Sequence, residues 1–241
     1  MSQIDIHRMK PISNLNSILQ DGYSLQYEWR NYGRQNVTIS THQIGELILT
    51  SGRIIPCDPL LVPDSRYHLK KTVRPGRYPV IVSLADFHPV GDSRFACAML
   101  QMSDEATVKW EVALINEPDS DQTGDRTNYG VDAGTGCFVD WDVAELIANL
   151  VSLEISYPEK DEFEMFCDRV IAEMEKNSFG NHSLTAGWAD MKVSDDSEGN
   201  IIAFSSGWGD GGYASFWGYD ASGNLTSLVT DFALFPSGDA A

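Results

Sequence analysis

No apolar run in this sequence approaches the roughly 18 residues that a helix needs to cross a bilayer. The best of them, Val80 to Ala85, is interrupted by Ser83. The N-terminus, Met1 to Lys10, sets Asp5, His7, Arg8 and Lys10 among isolated apolar residues and so lacks the continuous apolar stretch of a secretory signal. A cytoplasmic protein with no membrane attachment is expected. Cysteine is sparse as well: Cys57, Cys97, Cys137 and Cys167 stand 30 or 40 residues apart, with no Cys-x-x-Cys pair and no histidine at finger spacing. A zinc ribbon is not expected. Without an export signal the four read as reduced thiols, three of them in apolar surroundings that suit inert, buried cysteine.

Basic residues are in short supply. Lys and Arg number 17 against 35 Asp and Glu, a formal net charge of −18. Such a surface repels phosphate backbones and anionic lipid, which disfavours broad nucleic-acid binding and membrane attraction. It permits a basic protein partner; equally, the charge can serve solubility alone. Motifs with a fixed mechanism are missing too: there is no Gly-x-Ser-x-Gly elbow, Walker loop, dinucleotide fingerprint or His-Glu-x-x-His pair.

What is present is ample apolar material, 42% of 241 residues, enough for a core that needs no disulfide or metal. A short helix is expected over Asn14 to Gln20, entered at Ser13 and stopped by Asp21-Gly22. Ser24 to Arg30 places Leu25, Tyr27 and Trp29 on one face, the period of a half-buried strand. Val37 to Ser40, Ile44 to Leu49 and, after Ser51-Gly52, Arg53 to Cys57 read as paired hairpin strands. Pro56 and Pro59 make Cys57-Asp58-Pro59 an edge or a bend. Gly76 to Phe87, Arg94 to Met102 and Thr107 to Ile115 predict an antiparallel meander, and the polar stretch Asn116 to Gly130 a surface loop. Val143, Leu146, Ile147 and Leu150, then Phe163, Phe166, Val170 and Met174, recur at helical spacing in two segments separated by Pro158. Strands return at Trp188 to Val193, Ile201 to Ser205, Tyr213 to Tyr219 and Leu225 to Phe235. The fold class expected is α+β, antiparallel β-sheets with two central amphipathic helices packed on them. Residues 1–42 read as an N-terminal helix and strand extension, and 43–236 as a single α+β domain with no Gly-, Ser- or Pro-rich linker inside it.

The densest chemical candidate runs from Gly130 to Asp140, where Asp132 and Asp140 flank Gly134 and Gly136 ahead of a helix. Backbone amides freed by the glycines can approach a ligand, and the two carboxylates can hold a cation or act as an acid/base pair. The structural alternative is that Asp140 caps the helix and the glycines make turns. A second glycine-rich segment, Ser206 to Tyr213, could frame a pocket between Trp208 and Tyr213 with Asp210 at its mouth, or be a hairpin turn. Asp231 sits in an apolar strand and needs a partner if buried, a basic group being one option. Arg74 and Arg77 belong to a run with Arg66, Lys70 and Lys71, five of the seventeen basic residues in twelve positions, where an anion could dock or acidic neighbours could pair. Asp119 to Gly124 opens like a calcium loop, but Gly130 stands where the bidentate Glu is required. Cys137, in a glycine-rich turn before a helix, is a candidate nucleophile whose thiol a helix dipole would acidify, though no base is identifiable. A divalent cation is thus possible and none is required.

Gly52 to Leu60 (GRIIPCDPL), Pro75 to Val80 (PGRYPV), Val131 to Gly136 (VDAGTG), Gly207 to Tyr213 (GWGDGGY) and Thr230-Asp231-Phe232 together resemble a bacterial family, domain of unknown function 4241. The resemblance spans about Gly45 to Phe235; it implies a bacterial protein with one family domain and supplies no reaction. Two readings of function follow. One is a non-enzymatic acidic protein for a basic partner, in the manner of an immunity or antitoxin-like protein. The other is a metal-dependent hydrolase or phosphoesterase using Asp132, Asp140, Asp210 and Asp231. A small-molecule sensor built on the Trp208 and Tyr213 loop is a third.

Overall fold

Residues of alternating burial dominate this chain and build two antiparallel sheets. A computed structural model describes residues 9–61, 63–117, 126–156, 162–180 and 183–235. In chain order the elements begin with α1 (Leu15–Ile18), β1 (Ser24–Trp29), β2 (Gly33–Leu49), β3 (Ile54–Cys57), β4 (Gly76–His88), β5 (Asp92–Gln101) and β6 (Lys109–Val112). They continue with β7 (Asn128–Val131), β8 (Thr135–Asp140), α2 (Trp141–Ser156), α3 (Glu162–Lys176), α4 (Ser183–Ala186), β9 (Trp188–Met191), β10 (Ile201–Ser205), β11 (Gly211–Tyr219) and β12 (Leu225–Asp231). The larger sheet runs β1-β2-β4-β5-β12-β11-β6, with β7 also on β11; the smaller runs β3-β8-β10-β9. No helix among the described residues is long and apolar enough to cross a membrane.

The period of two along each strand sorts side chains between layers. From the smaller sheet, Ile54, Phe138, Ile202 and Phe204 join Leu47, Val82, Leu100 and Trp217 of the larger sheet in one core cluster. The intervening residues Ile55, Cys137, Val139, Ile201 and Ala203 gather instead with Val143 and Ile147 of α2 and Phe166 and Val170 of α3. A further cluster draws Val37, Ile39, Ala85, Phe87 and Val229 of the larger sheet together with Leu15 and Ile18 of α1. Each of these large side chains contributes about 1.5–3 kcal/mol on burial.

Several expected pairings are redrawn. Val37 to Ser40 and Ile44 to Leu49 are one strand, β2, whose register against β4 slips between Gln43 and Gly45. Arg53 to Cys57 does not return along β2: β3 pairs with β8 and starts the other sheet. The Ser51-Gly52 turn redirects it, because its amides are held by the Asp140 carboxylate at 3.1–3.2 Å. The third strand of the expected meander, β6, lies apart from β5, whose edge is taken by β12. It pairs with the Phe216–Tyr219 stretch of β11, while β7, at the end of the expected loop, takes Gly211–Ala214 of the same edge. The calcium-like opening, 119–124, and Pro158 lie outside the described residues. Asn14, not Ser13, caps α1, and the last strand stops at Asp231.

Gly52 has φ +76°, and a Cβ on it would sit 2.1 Å from the Val73 carbonyl oxygen. Left-handed backbone costs a residue with a side chain about 1–2 kcal/mol before any overlap. Gly52→Ala is therefore expected to destabilise the protein by roughly 2–4 kcal/mol, read as a lower urea midpoint with an unchanged slope.

Candidate functional site

The two glycine-rich segments meet. Strand β7 pairs with the start of β11, placing Val131 opposite Gly211 and Gly130 opposite Gly212. Beyond that ladder the turn at Asp132-Ala133-Gly134 is clasped from both sides. Asp58 accepts the amides of Asp132 and Ala133 at 3.0 and 2.9 Å on one oxygen and that of Leu60 at 2.9 Å on the other. Asp210 accepts the Gly134 amide at 3.0 Å, and the Gly134 carbonyl accepts from the Ser206 amide at 3.0 Å. Positive φ at Gly134, +63°, lets the turn close. Asp132 and Asp210 are themselves exposed, joined through the Gly134 backbone. Gly136 is needed for close approach, since a Cβ there would come within 3.0 Å of both the Tyr129 hydroxyl and the Phe204 ring.

A cleft of about 220 Å³ opens beside this turn, lined by Cys57, Asp58, Tyr67, Arg126, Tyr129 and Gly130 among others. Arg126 stands over the Tyr67 ring at 5.0 Å and donates from Nε to the Asn128 carbonyl. Asp58 is almost fully buried, and desolvation raises its pKa; its three backbone donors pull the other way, and the neighbouring Asp132 charge adds to the rise. The Tyr129 hydroxyl is buried with no hydrogen-bond partner among the described residues, and burial lifts its pKa well above the usual phenol value. Thr230 opposes that shift, but its Oγ1 is engaged by Ser215 Oγ at 2.8 Å. Cys137 does not sit at a helix start: it lies within β8, fully buried, and desolvation raises its thiol well above the ordinary value.

The remaining carboxylates hold backbone. Asp140, with no exposed surface, accepts from the amides of Ser51, Gly52 and Asp142 and from the hydroxyls of Thr50 and Ser51. The Asp142 contact, at 3.0 Å, caps α2. Asp231 is buried too, and its partner is not a basic group: Ser13 donates its amide at 2.8 Å and its hydroxyl at 2.7 Å, and Ala233 its amide at 2.9 Å. Among the described residues no group of three or more His, Cys, Asp or Glu side chains is placed to hold a metal ion.

Trp208 and Tyr213 face different surroundings. Tyr213 is buried, its hydroxyl donating to the Ser206 and Gly209 carbonyls, its ring 5.3 Å from Phe232 and 6.4 Å from Tyr129. Trp208 is 38% exposed and joins Tyr27, Trp29 and Phe87, with ring centroids at 6.3, 4.9 and 6.0 Å. Tyr32, 60% exposed, stands 5.0 Å from Trp29. Arg94 sets its guanidinium 4.7 Å over Trp208, pairs with Asp92 at 2.7 Å and donates to the Gly207 carbonyl. Arg74 and Arg77 are exposed; Arg77 approaches Glu46 at 3.8 Å, and within the same run Arg66 pairs with Asp64 at 2.7 Å.

Asp58, Tyr129 and the Tyr27-Trp29-Tyr32 group are not among the candidate residues that the sequence offers. The alternation of Leu25, Tyr27 and Trp29 was a usable signal for an aromatic face; nothing in the spacing of Asp58 and Asp132 announces their contact. A family model described as "Protein of unknown function (DUF4241)" matches residues 47–230. No curated protein and no solved structure matches the chain.

Removing the Asp58 carboxylate takes the acceptor from three part-buried backbone hydrogen bonds, so Asp58→Ala is expected to lower the unfolding free energy by about 2 kcal/mol. The folded-state pKa lies above the unfolded one, so the folded protein holds this proton more tightly. The contribution of Asp58 to stability therefore falls as pH rises from about 3.9 through the folded value, and is level above it. Urea unfolding of wild type and variant across this range should show their difference largest at the acid end; a difference that grows with pH would contradict the raised pKa.

Proposed function

The chain belongs to the DUF4241 family, a family of unknown function, and within it we propose that this protein is a non-enzymatic acidic binding protein, immunity- or antitoxin-like, for a basic protein partner. The aromatic face around Trp208 carries this reading. Trp, Tyr and Arg are the residues that dominate binding energy at protein interfaces, because rigid rings offer much apolar area for little lost entropy. Here Trp208, Trp29 and Tyr32 are contiguous and partly exposed. The stacking of Arg94 on Trp208 at 4.7 Å illustrates the contact that an incoming arginine or lysine would make on the neighbouring rings. The net charge of −18 supplies the long-range attraction that brings a cationic partner to the surface. The hydrolase reading gains no comparable support, since Asp140, Asp210 and Asp231 each accept hydrogen bonds from backbone amides.

An arginine- and lysine-rich peptide titrated into the full chain by calorimetry tests the proposal. Binding should weaken as salt rises, and Trp208→Ala should weaken it by about 2 kcal/mol, roughly 30-fold, with Trp208→Phe recovering part of the loss. Equal affinity for wild type and Trp208→Ala, with both folded, would overturn it.

A further inference from the structure

The pairing of β3 with β8 sets Cys57 directly across from Cys137, and their sulfur atoms lie 3.4 Å apart as free thiols. Directly opposed residues of an antiparallel pair have Cα atoms about 4.5–5.5 Å apart, inside the roughly 4.4–6.8 Å that a disulfide spans. The two thiols differ in access: Cys137 is fully buried, whereas Cys57 is half-buried and lines the cleft with Asp58, Arg126 and Tyr129. A small molecule entering the cleft therefore meets one sulfur, with the second waiting behind it.

We propose that Cys57 and Cys137 are a redox dithiol site whose oxidising substrate is a small hydroperoxide. The Cys57 sulfur attacks the terminal peroxide oxygen, the O–O bond breaks, and the thiol proton leaves with the alkoxide as an alcohol, or as water when the oxidant is hydrogen peroxide. Cys57 is then a sulfenic acid. The Cys137 sulfur attacks it, the S–O bond breaks, and the hydroxyl departs with the Cys137 proton as water, leaving an intramolecular disulfide. Two thiols and one hydroperoxide thus give one disulfide, one alcohol and one water. The sulfurs need only close from 3.4 Å to a bond length of about 2.05 Å, so the strands keep their register. Burial of Cys137, which keeps it a thiol, fits the resolving role rather than the attacking one. Cys97, fully buried with its thiol pushed up to about 12, is a built-in unreactive control.

Native protein exposed to a small molar excess of hydrogen peroxide, then denatured and titrated, should fall from four titratable thiols to two. Peptide mapping should find Cys57 joined to Cys137, and dithiothreitol should restore all four thiols. In Cys137→Ser, dimedone should label Cys57 and leave Cys97 unlabelled; the wild-type map decides the matter if that variant fails to fold. An undiminished thiol count, separate sulfinic acids at the two positions, or a link joining other cysteines would overturn the proposal.

Discussion

One buried carboxylate ties three parts of this molecule together. Asp140 ends β8, caps α2 and takes the amides of the Ser51-Gly52 turn that carries the chain from the larger sheet to the smaller. A carboxylate without solvent is tolerable only when its lone pairs are filled. Here two hydroxyls join the amides to fill them. The interaction spans about ninety residues of sequence, so it is satisfied only when both sheets and the helix are in place. The position of β3 beside β8, and with it the opposition of Cys57 and Cys137, depends on that turn.

The same device recurs at smaller scale. Asp58 and Asp210 clasp the turn at residues 132–134 from opposite sides, and Asp231 fixes Ser13. Asp58, Asp140 and Asp210 thus serve as acceptors for backbone amides that these turns would otherwise leave unpaired. Much of the acidity that colours the composition is nonetheless on the outside, where Asp132 and Asp210 flank the clasped turn. The aromatic face lies beyond the same loop, because Trp208 projects from the segment that Tyr213 anchors beneath.

Local pattern made the strands legible. Alternation in Ser24 to Arg30 and the β-rich runs from Gly76 to Met102 and from Ile201 to Tyr219 correspond to β1, β4, β5, β10 and β11. Partnership was not legible, because it depends on contacts between residues far apart in sequence. Nothing in Thr107 to Ile115 says that β12 will displace it from β5, and a turn at Ser51-Gly52 looks like a hairpin until Asp140 pulls it elsewhere. The site shows the same division. Asp140 as a helix cap followed from its place before an apolar-periodic run, and Asp231 stood out in an apolar strand, but that its partner is Ser13, far away in sequence, left no local trace.

The order of strands across the larger sheet also governs how the molecule can be made. Strand β5 has β4 on one side and, on the other, β12, which lies some 130 positions later in the chain. While the ribosome works through the intervening residues, β5 presents an unsatisfied edge of backbone donors and acceptors flanked by Phe95, Ala96 and Ala98. Synthesis and sheet closure are thereby decoupled: the larger sheet is completed only after Asp231 has emerged. For that interval the nascent chain offers other strands a ready template, the hazard that an unpaired sheet edge carries in any incomplete chain.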